Sequence, residues 1–278
     1  MRRVGFAACF DGDQLQFTHD SAACRCSMTF SVYLPPQAKD GPVPLIWWLS
    51  GLTCTDQNFV QKAGAQRWAA QHGVAIVAPD TSPRGPDVPG DPDGAWDFGH
   101  GASWYVDATQ APWNTHYRMA TWLLDELPAA LAPLPLDLSR QSIAGHSMGG
   151  HGALVLALRN PGRFRAVSAF APVVAPTQVP WGQKAFGRFF GEDYAEWKRW
   201  DTCELVVDAK ERLPILVDQG EGDTFLDTQL QPSRLEAACA RAGHPLTLRR
   251  RFLYDHSYFF VATYLEEHVA WHARALRA

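Results

Sequence analysis

The chain has 278 residues, with 25 basic and 29 acidic side chains and a formal net charge of −4 at pH 7. This length suffices for one large buried core, and no shift in composition marks a linker, so we expect a single domain over residues 1–278. Because there is no basic surplus to neutralise phosphates, neither nucleic acid nor an anionic membrane surface is expected as a partner. A small-molecule partner is expected instead.

Two further features of the composition favour a cytoplasmic location. The apolar stretch at residues 4–10 is too short for a secretion signal, and no other apolar run approaches the length that spans a membrane. The six cysteines are spread through the chain without an export signal, so we expect reduced thiols. No two Cys/His pairs stand at ligand spacing, and we expect neither a metal nor a cofactor.

The N-terminal half predicts strands of two kinds. Residues 14–17 and 28–34 resemble strands, and the second alternates apolar and polar side chains, which is typical of an antiparallel edge. Residues 45–49 and 74–78 are continuous apolar runs, as expected for strands that helices cover on both faces. A helix is predicted between them, from about residue 61 to 71.

The alternation of strands and helices continues to the C-terminus. The predicted elements are a helix at 117–127, a strand at 142–144, a helix from 148, strands at 167–170 and 215–218, a helix at 230–242, a strand at 246–252 and a closing helix at 259–276. This pattern predicts an α/β fold with a doubly wound, mostly parallel sheet and antiparallel N-terminal edge strands. Residues 83–113 and 172–208 are long for simple connections, and we expect them to wall a substrate cleft.

Residues 145–149 read GHSMG, a serine between two glycines that follows a short apolar run and opens an apolar helix. This is the nucleophile-elbow pattern, in which a sharp strand-to-helix turn lifts the serine hydroxyl above the sheet edge. Side chains at 145 and 149 would collide with neighbouring backbone, so both positions require glycine. Ser147 is therefore the candidate nucleophile. The alternative is a helix that begins at a Gly-rich turn with Ser147 as its cap.

A serine nucleophile needs a base, which in this arrangement follows the serine and an acidic residue in chain order. His256 falls in the loop between the last strand and the last helix, where a strand end delivers a side chain to the cleft. His151 lies one helical turn past the nucleophile and cannot swing back, and His244 is flanked by turn residues. His268 and His272 are spaced i, i+4 on the closing helix and are expected to be surface or packing residues. The predicted base is His256.

Four aspartates compete to orient this base. Asp223 lies just past the end of a buried strand, whereas Asp218 lies within that strand. Asp227 is further along the loop, where capping of the next helix is the simpler explanation. Asp255 is adjacent to His256, and neighbouring loop residues rarely aim both side chains correctly. We predict that Asp223 holds the imidazole in its tautomer, with Asp227 as the alternative and Asp255 as a third candidate.

The oxyanion of an acyl-transfer intermediate needs two backbone donors. One is normally the N–H of the residue after the nucleophile, which here is Met148. The second is expected in the loop after the strand at 45–49, where Gly51 permits a close approach of the backbone. The N–H of Leu52 is therefore the second candidate donor.

Six blocks of sequence stand out along the chain, and several of them are more specific than the serine motif alone. They are LSGLTCT at 49–55, WDFG at 96–99, YVDAT at 105–109, GHSMGGHGAL at 145–154, PWGQKAF at 180–186 and DHSYFF at 255–260. Together they resemble the S-formylglutathione hydrolase family, also called the esterase D family, and the resemblance runs nearly from end to end.

The resemblance implies an α/β-hydrolase fold and a catalytic triad of Ser147, Asp223 and His256, with Leu52 and Met148 as oxyanion donors. It also implies a cytosolic, metal-independent thioesterase that is commonly a homodimer. Such an enzyme cleaves S-formylglutathione to glutathione and formate in the detoxification of formaldehyde, by way of a formyl-serine intermediate.

The small formyl group suggests candidates for substrate contact. Trp104 and Trp181 are predicted to narrow the acyl pocket, with core packing as the alternative for both. Cys54 comes two residues after Leu52 and is expected close to the bound acyl group. Two other functions remain open. One is a general short-chain carboxylesterase or acyltransferase of the same fold, and the other is a non-catalytic hydrolase-fold binding module.

Overall fold

A computed structural model describes residues 1–278 and contains one sheet of nine strands in the order β1-β2-β3-β5-β4-β6-β7-β8-β9. The strands are β1 (Arg2–Cys9), β2 (Gly12–Ser21), β3 (Cys26–Leu34), β4 (Val43–Leu49), β5 (Ala75–Pro79), β6 (Leu136–His146), β7 (Val167–Phe170), β8 (Ile215–Gly220) and β9 (Leu246–Arg251). Strands β1 to β3 are antiparallel, β3 is antiparallel to β5, and β4 to β9 are all parallel. The predicted fold class is confirmed.

The N-terminal edge is longer than the sequence predicts. Strand β1 was not predicted, because six of its eight residues are exposed and it carries no apolar alternation to indicate a strand. It joins β2 through a tight hairpin in which Phe10 and Asp11 both have positive φ, at 49° and 59°. The hydroxyl of Tyr33 on β3 donates to the carbonyl of Cys9 at 3.0 Å, so the third strand fastens the hairpin end.

The central strands show why their sequences are continuous apolar runs. Every residue of β4, β5 and β8 is buried, since helices pack around the sheet. The helices are α1 (Asp56–Lys62), α2 (Ala65–His72), α3 (Met119–Thr121), α4 (Leu127–Leu131), α5 (Met148–Arg159), α6 (Pro180–Phe190), α7 (Tyr194–Lys198), α8 (Thr202–Leu205), α9 (Pro232–Ala242) and α10 (Tyr258–Arg277). Helix α5 packs on β4, β6 and β7, and α10 contacts β6, β7 and α2.

Several helices differ in detail from the predictions. The single helix predicted at 61–71 is two helices, because Gly64 caps α2 with a left-handed φ of 67°. A π-helical turn over Trp122–Glu126 joins α3 to α4, and another over Leu226–Leu230 precedes α9. Short 3₁₀ turns cover Pro36–Lys39, Trp113–Thr115 and Pro176–Gln178.

The two long segments expected to be cleft walls have different structures. Residues 83–113 are mainly irregular, with isolated bridges between Gly99 and Ala102 and from Asp107 to Arg118. Residues 172–208 contain α6, α7 and α8, so this segment is a small helical layer. Neither these helices nor any others are both long and apolar enough to cross a bilayer.

Candidate active site

The turn from β6 into α5 holds Ser147 in a sterically demanding backbone conformation, with φ 59° and ψ −121°. A Cβ on Gly145 would lie 2.1 Å from the carbonyl oxygen of Gly149, and one on Gly149 would lie 2.0 Å from the carbonyl oxygen of Leu49. Both contacts are far inside van der Waals distance, so neither glycine can be replaced without moving the backbone. The amide of Ser147 donates to the carbonyl of Phe170 on β7 at 2.9 Å, which fixes the turn against the sheet.

The structure brings together the three side chains singled out in the sequence. The Ser147 hydroxyl lies 2.9 Å from Nε2 of His256, and Nδ1 of His256 lies 2.5 Å from Oδ2 of Asp223. The Asp223 side chain is fully buried, whereas 19% of the His256 side chain is exposed. The other oxygen of Asp223 accepts the backbone N–H of Phe225 at 2.8 Å, so the carboxylate is held on both sides. This geometry suits proton transfer from the serine to an oriented imidazole.

Two neighbouring loops place the acid and the base. Asp223 follows the carboxyl end of β8, and His256 lies between the end of β9 and the start of α10. The loops touch backbone to backbone: the amide of Gly222 donates to the carbonyl of Tyr254 at 2.8 Å, and a Cβ on Gly220 would lie 2.3 Å from the same oxygen. The parallel pairing of β8 with β9 therefore sets the distance between acid and base.

The competing candidates lie elsewhere or have other partners. Asp227 is exposed and bonds to no histidine, and the carboxylate of Asp255 accepts the N–H and hydroxyl of Ser257 at 3.0 and 2.6 Å. His151 is fully buried in the core, and burial lowers its pKa to about 3. His244 bonds through Nε2 to a backbone carbonyl at 2.9 Å. None of these four contacts the hydroxyl of the candidate nucleophile.

The two amides expected to stabilise an oxyanion are free. The backbone N–H groups of Leu52 and Met148 donate to no acceptor in the structure. The loop that carries Leu52 lies against the nucleophile, because a Cβ on Gly51 would lie 3.0 Å from the Cβ of Ser147. Two unpaired donors beside one serine hydroxyl are what an oxyanion hole requires.

A cavity of about 460 Å³ opens over Ser147 and His256. An aromatic wall forms one side, with the rings of Trp96 and Trp181 5.4 Å apart and those of Trp181 and Phe225 4.7 Å apart. The full lining is Gly51, Leu52, Thr53, Cys54, Asn58, Lys62, Trp96, His146, Ser147, Trp181, Phe225, His256, Ser257 and Tyr258. The cavity therefore combines the catalytic side chains with an apolar surface for the substrate.

Two of the three predicted substrate contacts line this cavity, namely Cys54 and Trp181. The structure does not place Trp104 there. Its side chain is fully buried, with its ring 5.4 Å from that of His151 and 6.0 Å from that of Phe186. The alternative of core packing therefore applies to Trp104, and the prediction that it lines the acyl pocket is corrected.

The Cys54 thiol is buried at the cavity wall, and burial raises its pKa, which the nearby Lys62 ammonium only partly opposes. A raised pKa keeps the sulfur protonated and a poor nucleophile. All six cysteines are free thiols. No group of three or more His, Cys, Asp or Glu side chains is placed to hold a metal ion.

His146 is a cavity residue that the sequence analysis did not single out. It is 5% exposed, neither ring nitrogen has a partner, and its ring lies 4.6 Å from that of His256. Burial lowers its pKa well below the usual value, so His146 is neutral beside the base. The sequence could have indicated this role, because His146 directly precedes the nucleophile and the elbow places that residue at the edge of the sheet beside the cavity.

Comparisons with known proteins agree along the whole chain. The family model described as "Putative esterase" matches residues 21–275. An S-formylglutathione hydrolase from Rattus norvegicus is 48% identical over 281 residues, covering 100% of this chain and 99% of the relative.

Solved structures give the same result. The solved structure of an S-formylglutathione hydrolase from Agrobacterium tumefaciens superposes with a TM-score of 0.97 at 46% identity, over 99% of this chain and 100% of that one. The serine hydrolase FphF from Staphylococcus aureus, 18% identical with a TM-score of 0.75 over 94% of this chain and 98% of its own, shares the fold. With these matches, the fold and the hydrogen-bonded site together place the chain in the S-formylglutathione hydrolase family of α/β-hydrolase esterases.

Proposed function

We propose that this protein is a serine thioesterase that hydrolyses S-formylglutathione to glutathione and formate. The observation that carries the proposal is the hydrogen-bonded series from Ser147 through His256 to Asp223, at the floor of an open cavity. The 48% identity to the rat S-formylglutathione hydrolase over the full length supports the choice of substrate. Such an enzyme removes the formyl thioester formed when formaldehyde is detoxified through glutathione.

The first half of the reaction transfers the formyl group to the enzyme. The Ser147 oxygen attacks the formyl carbon while its proton passes to Nε2 of His256, 2.9 Å away. The negative charge that develops on the formyl oxygen is stabilised by the amides of Leu52 and Met148. The C–S bond then breaks, His256 gives its proton to the departing sulfur, and glutathione leaves.

The second half returns the enzyme to its starting state. A water molecule gives a proton to His256 and attacks the formyl-serine carbon, and the same two amides hold the second oxyanion. When the ester bond breaks, His256 returns the proton to Ser147 and formate leaves. Asp223 fixes the imidazole and stabilises its charged form, while the transferred proton is held on Nε2 of His256.

The aromatic wall supports a bulky leaving group with a small acyl group. We propose that Trp181 and Cys54 contact the substrate, since both line the cavity beside the nucleophile. A formyl group needs little room at the carbonyl carbon, so most of the roughly 460 Å³ is available to the glutathione moiety.

Steady-state kinetics with purified protein test the proposed function. We expect a higher kcat/KM for S-formylglutathione than for p-nitrophenyl acetate, and no turnover of either by Ser147→Ala. A preference for the oxygen ester would indicate the general carboxylesterase instead. Residual wild-type rates in Ser147→Ala would contradict the proposed nucleophile.

We also propose that the chain is one domain that acts as a cytoplasmic homodimer. One sheet and one cluster of 75 buried hydrophobic residues support the single domain. Phe252, Leu253 and Phe259, near the catalytic loop, are 75%, 77% and 86% exposed, and apolar surface of this kind is often covered by a partner. Light scattering on the purified protein should give twice the chain mass, and a monomer would contradict the dimer.

A further inference from the structure

The charge of the cavity lining is unbalanced. Among the lining residues, Lys62 is the only lysine or arginine, and there is no aspartate or glutamate. Lys62 makes no ion pair and no hydrogen bond within the chain, whereas Lys184 is paired with two aspartates and Lys198 with a glutamate. An unpaired ammonium beside an otherwise uncharged pocket attracts an anionic ligand.

Contacts at the end of α1 set the position of this ammonium. Lys62 is the last residue of the helix, and its Nζ lies 6.0 Å from the centre of the Tyr258 ring, which also lines the cavity. This cation–π contact favours a position of the charge over the cavity wall. The Lys62 charge also acts on the Cys54 thiol, which lies on the loop next to the nucleophile.

Asn58 provides a second donor on the same face of α1. It is four residues before Lys62, so the two side chains are neighbours on the helix, and both line the cavity. Its carbonyl oxygen accepts the N–H of Thr55 at 2.9 Å and completes a capping box. That bond fixes the orientation of the Asn58 side-chain amide. Its NH₂ group is therefore a pre-oriented donor, and this group has no acceptor in the structure.

An ammonium and an amide NH₂ one helical turn apart on the same face of α1 supply donors for the two oxygens of one carboxylate. The substrate proposed above has two carboxylates, one on its γ-glutamyl residue and one on its glycine. We propose that Lys62 and Asn58 form a carboxylate subsite that binds one of these two groups and so selects glutathione thioesters. This inference rests on the proposed function, because it assigns a role within the same cavity.

A comparison of charged and neutral substrates tests the subsite. The substrates are S-formylglutathione, its two single amides, in which either the glycyl or the γ-glutamyl α-carboxylate is a carboxamide, and the diamide. Because Lys62 is exposed, we expect Lys62→Met to raise KM for S-formylglutathione about threefold to fivefold, the upper range for an exposed ion pair, with kcat within twofold. The diamide should be equally poor for wild type and Lys62→Met.

The single amides identify which carboxylate binds. One single amide lacks the carboxylate that the subsite binds. For wild type, its KM should exceed that of S-formylglutathione by the same factor that Lys62→Met produces, and Lys62→Met should not raise its KM further. The other single amide should keep the full wild-type sensitivity to Lys62→Met. Equal sensitivity to the mutation for all four substrates would overturn the subsite.

Three further variants separate this role from general effects of charge or folding. Lys62→Arg should restore most of the affinity, and Asn58→Asp, which keeps the capping oxygen but replaces the donor with a negative charge, should raise KM. Lys210→Met is the matched control, because this exposed lysine lies in another surface depression near Leu158 and Arg159, at the far end of α5 from the nucleophile. If Lys210→Met raises KM as much as Lys62→Met, the effect belongs to net charge and the inference fails.

The proposed function and the subsite fail in different ways. A wild-type protein that turns over p-nitrophenyl acetate but not S-formylglutathione overturns the proposed function and the subsite with it. Efficient wild-type hydrolysis of S-formylglutathione, combined with an unchanged KM in Lys62→Met, overturns the subsite alone.

Discussion

The protein contains a second hydrogen-bonded set of serine, histidine and aspartate in addition to the one at the cavity. Ser168 on β7 lies 2.8 Å from Nδ1 of His268, and Nε2 of His268 lies 3.2 Å from Asp218 on β8. His272 extends the set, with its Nε2 2.8 Å from the same serine hydroxyl. The Asp218 carboxylate is also paired with Arg251 at 3.1 Å.

The surroundings of the two sets differ more than their residues do. The second set is buried, with only 1% of the His268 side chain exposed, and none of its members lines the cavity. Ser168 lies within a regular strand rather than at an elbow. Burial lowers the pKa of His268, so the ring stays neutral and links elements of the core. A serine, a histidine and an aspartate become catalytic only where a substrate can reach the serine and unpaired N–H donors are positioned to bind the oxyanion.

The largest difference between the two sets should appear when each serine is removed. Ser147→Ala should lower kcat for S-formylglutathione on the order of 10⁶-fold, because only the nucleophile is lost and alanine fits the elbow. Ser168→Ala should keep kcat within about threefold of wild type, since that hydroxyl touches no substrate. Single-turnover and steady-state rates on both variants measure this. A large loss of kcat in Ser168→Ala would show that the buried set takes part in catalysis.

Replacement of Asp223, the aspartate that bonds to His256, should have the next largest effect. Asp223→Asn should lower kcat about 10⁴-fold, because the amide favours the wrong tautomer of His256. Circular dichroism should show an unchanged fold. Asp227→Asn serves as the control and should remain active, so a crippled Asp227→Asn with an active Asp223→Asn would reverse the assignment.

Replacement of Asp218, in the second set, should reduce stability instead of the catalytic rate. Asp218→Asn leaves the Arg251 guanidinium without its most buried partner and should lower the free energy of unfolding by about 3 kcal/mol. The rate per folded molecule should stay within tenfold of wild type. Urea unfolding and kinetics at 20 °C measure the two quantities. An unchanged unfolding midpoint would mean that the Arg251–Asp218 pair does not stabilise the core.

The smallest predicted effect concerns pH. Burial lowers the pKa of His272 to about 3 in the folded protein, against about 6.5 when unfolded. The unfolded chain therefore binds more protons between these values, and stability falls as the pH drops below 6.5. From pH 7 to 5 this histidine alone should cost about 2 kcal/mol.

The variant His272→Gln tests whether His272 causes this loss of stability at low pH, because glutamine can still bond to Ser168 but does not titrate. Its free energy of unfolding should fall less between pH 7 and 5 than that of wild type, by about 2 kcal/mol. Identical pH dependence in the two proteins would show that His272 is not the source.

The catalytic residues were accessible to prediction because chain order and strand ends constrain them. The elbow glycines mark Ser147, and parallel strands bring the residues after their carboxyl ends to one edge, which singled out Asp223 and His256. The structure places these three within hydrogen-bonding distance. Their roles in catalysis stay a proposal until the variants are measured.

Other features depend on contacts between residues far apart in sequence. The spacing of His268 and His272 indicated packing or surface positions, but their shared partner Ser168 is 100 or more residues away. Composition could not show that Trp181 lines the cavity while Trp104 is in the core. Likewise, only the structure shows that the Lys62 ammonium has no ion-pair partner, because this depends on which residues surround it.

The helical layer formed by α6, α7 and α8 is inserted between β7 and β8, and the strands before and after it stay paired. Its length and sequence can therefore change during evolution while Ser147, Asp223 and His256 keep their spacing, because the sheet and not the insertion sets that spacing. The same separation offers a route for engineering. Exchange of this layer for that of a related esterase should alter which thiol or alcohol is released and leave the acyl-transfer chemistry in place.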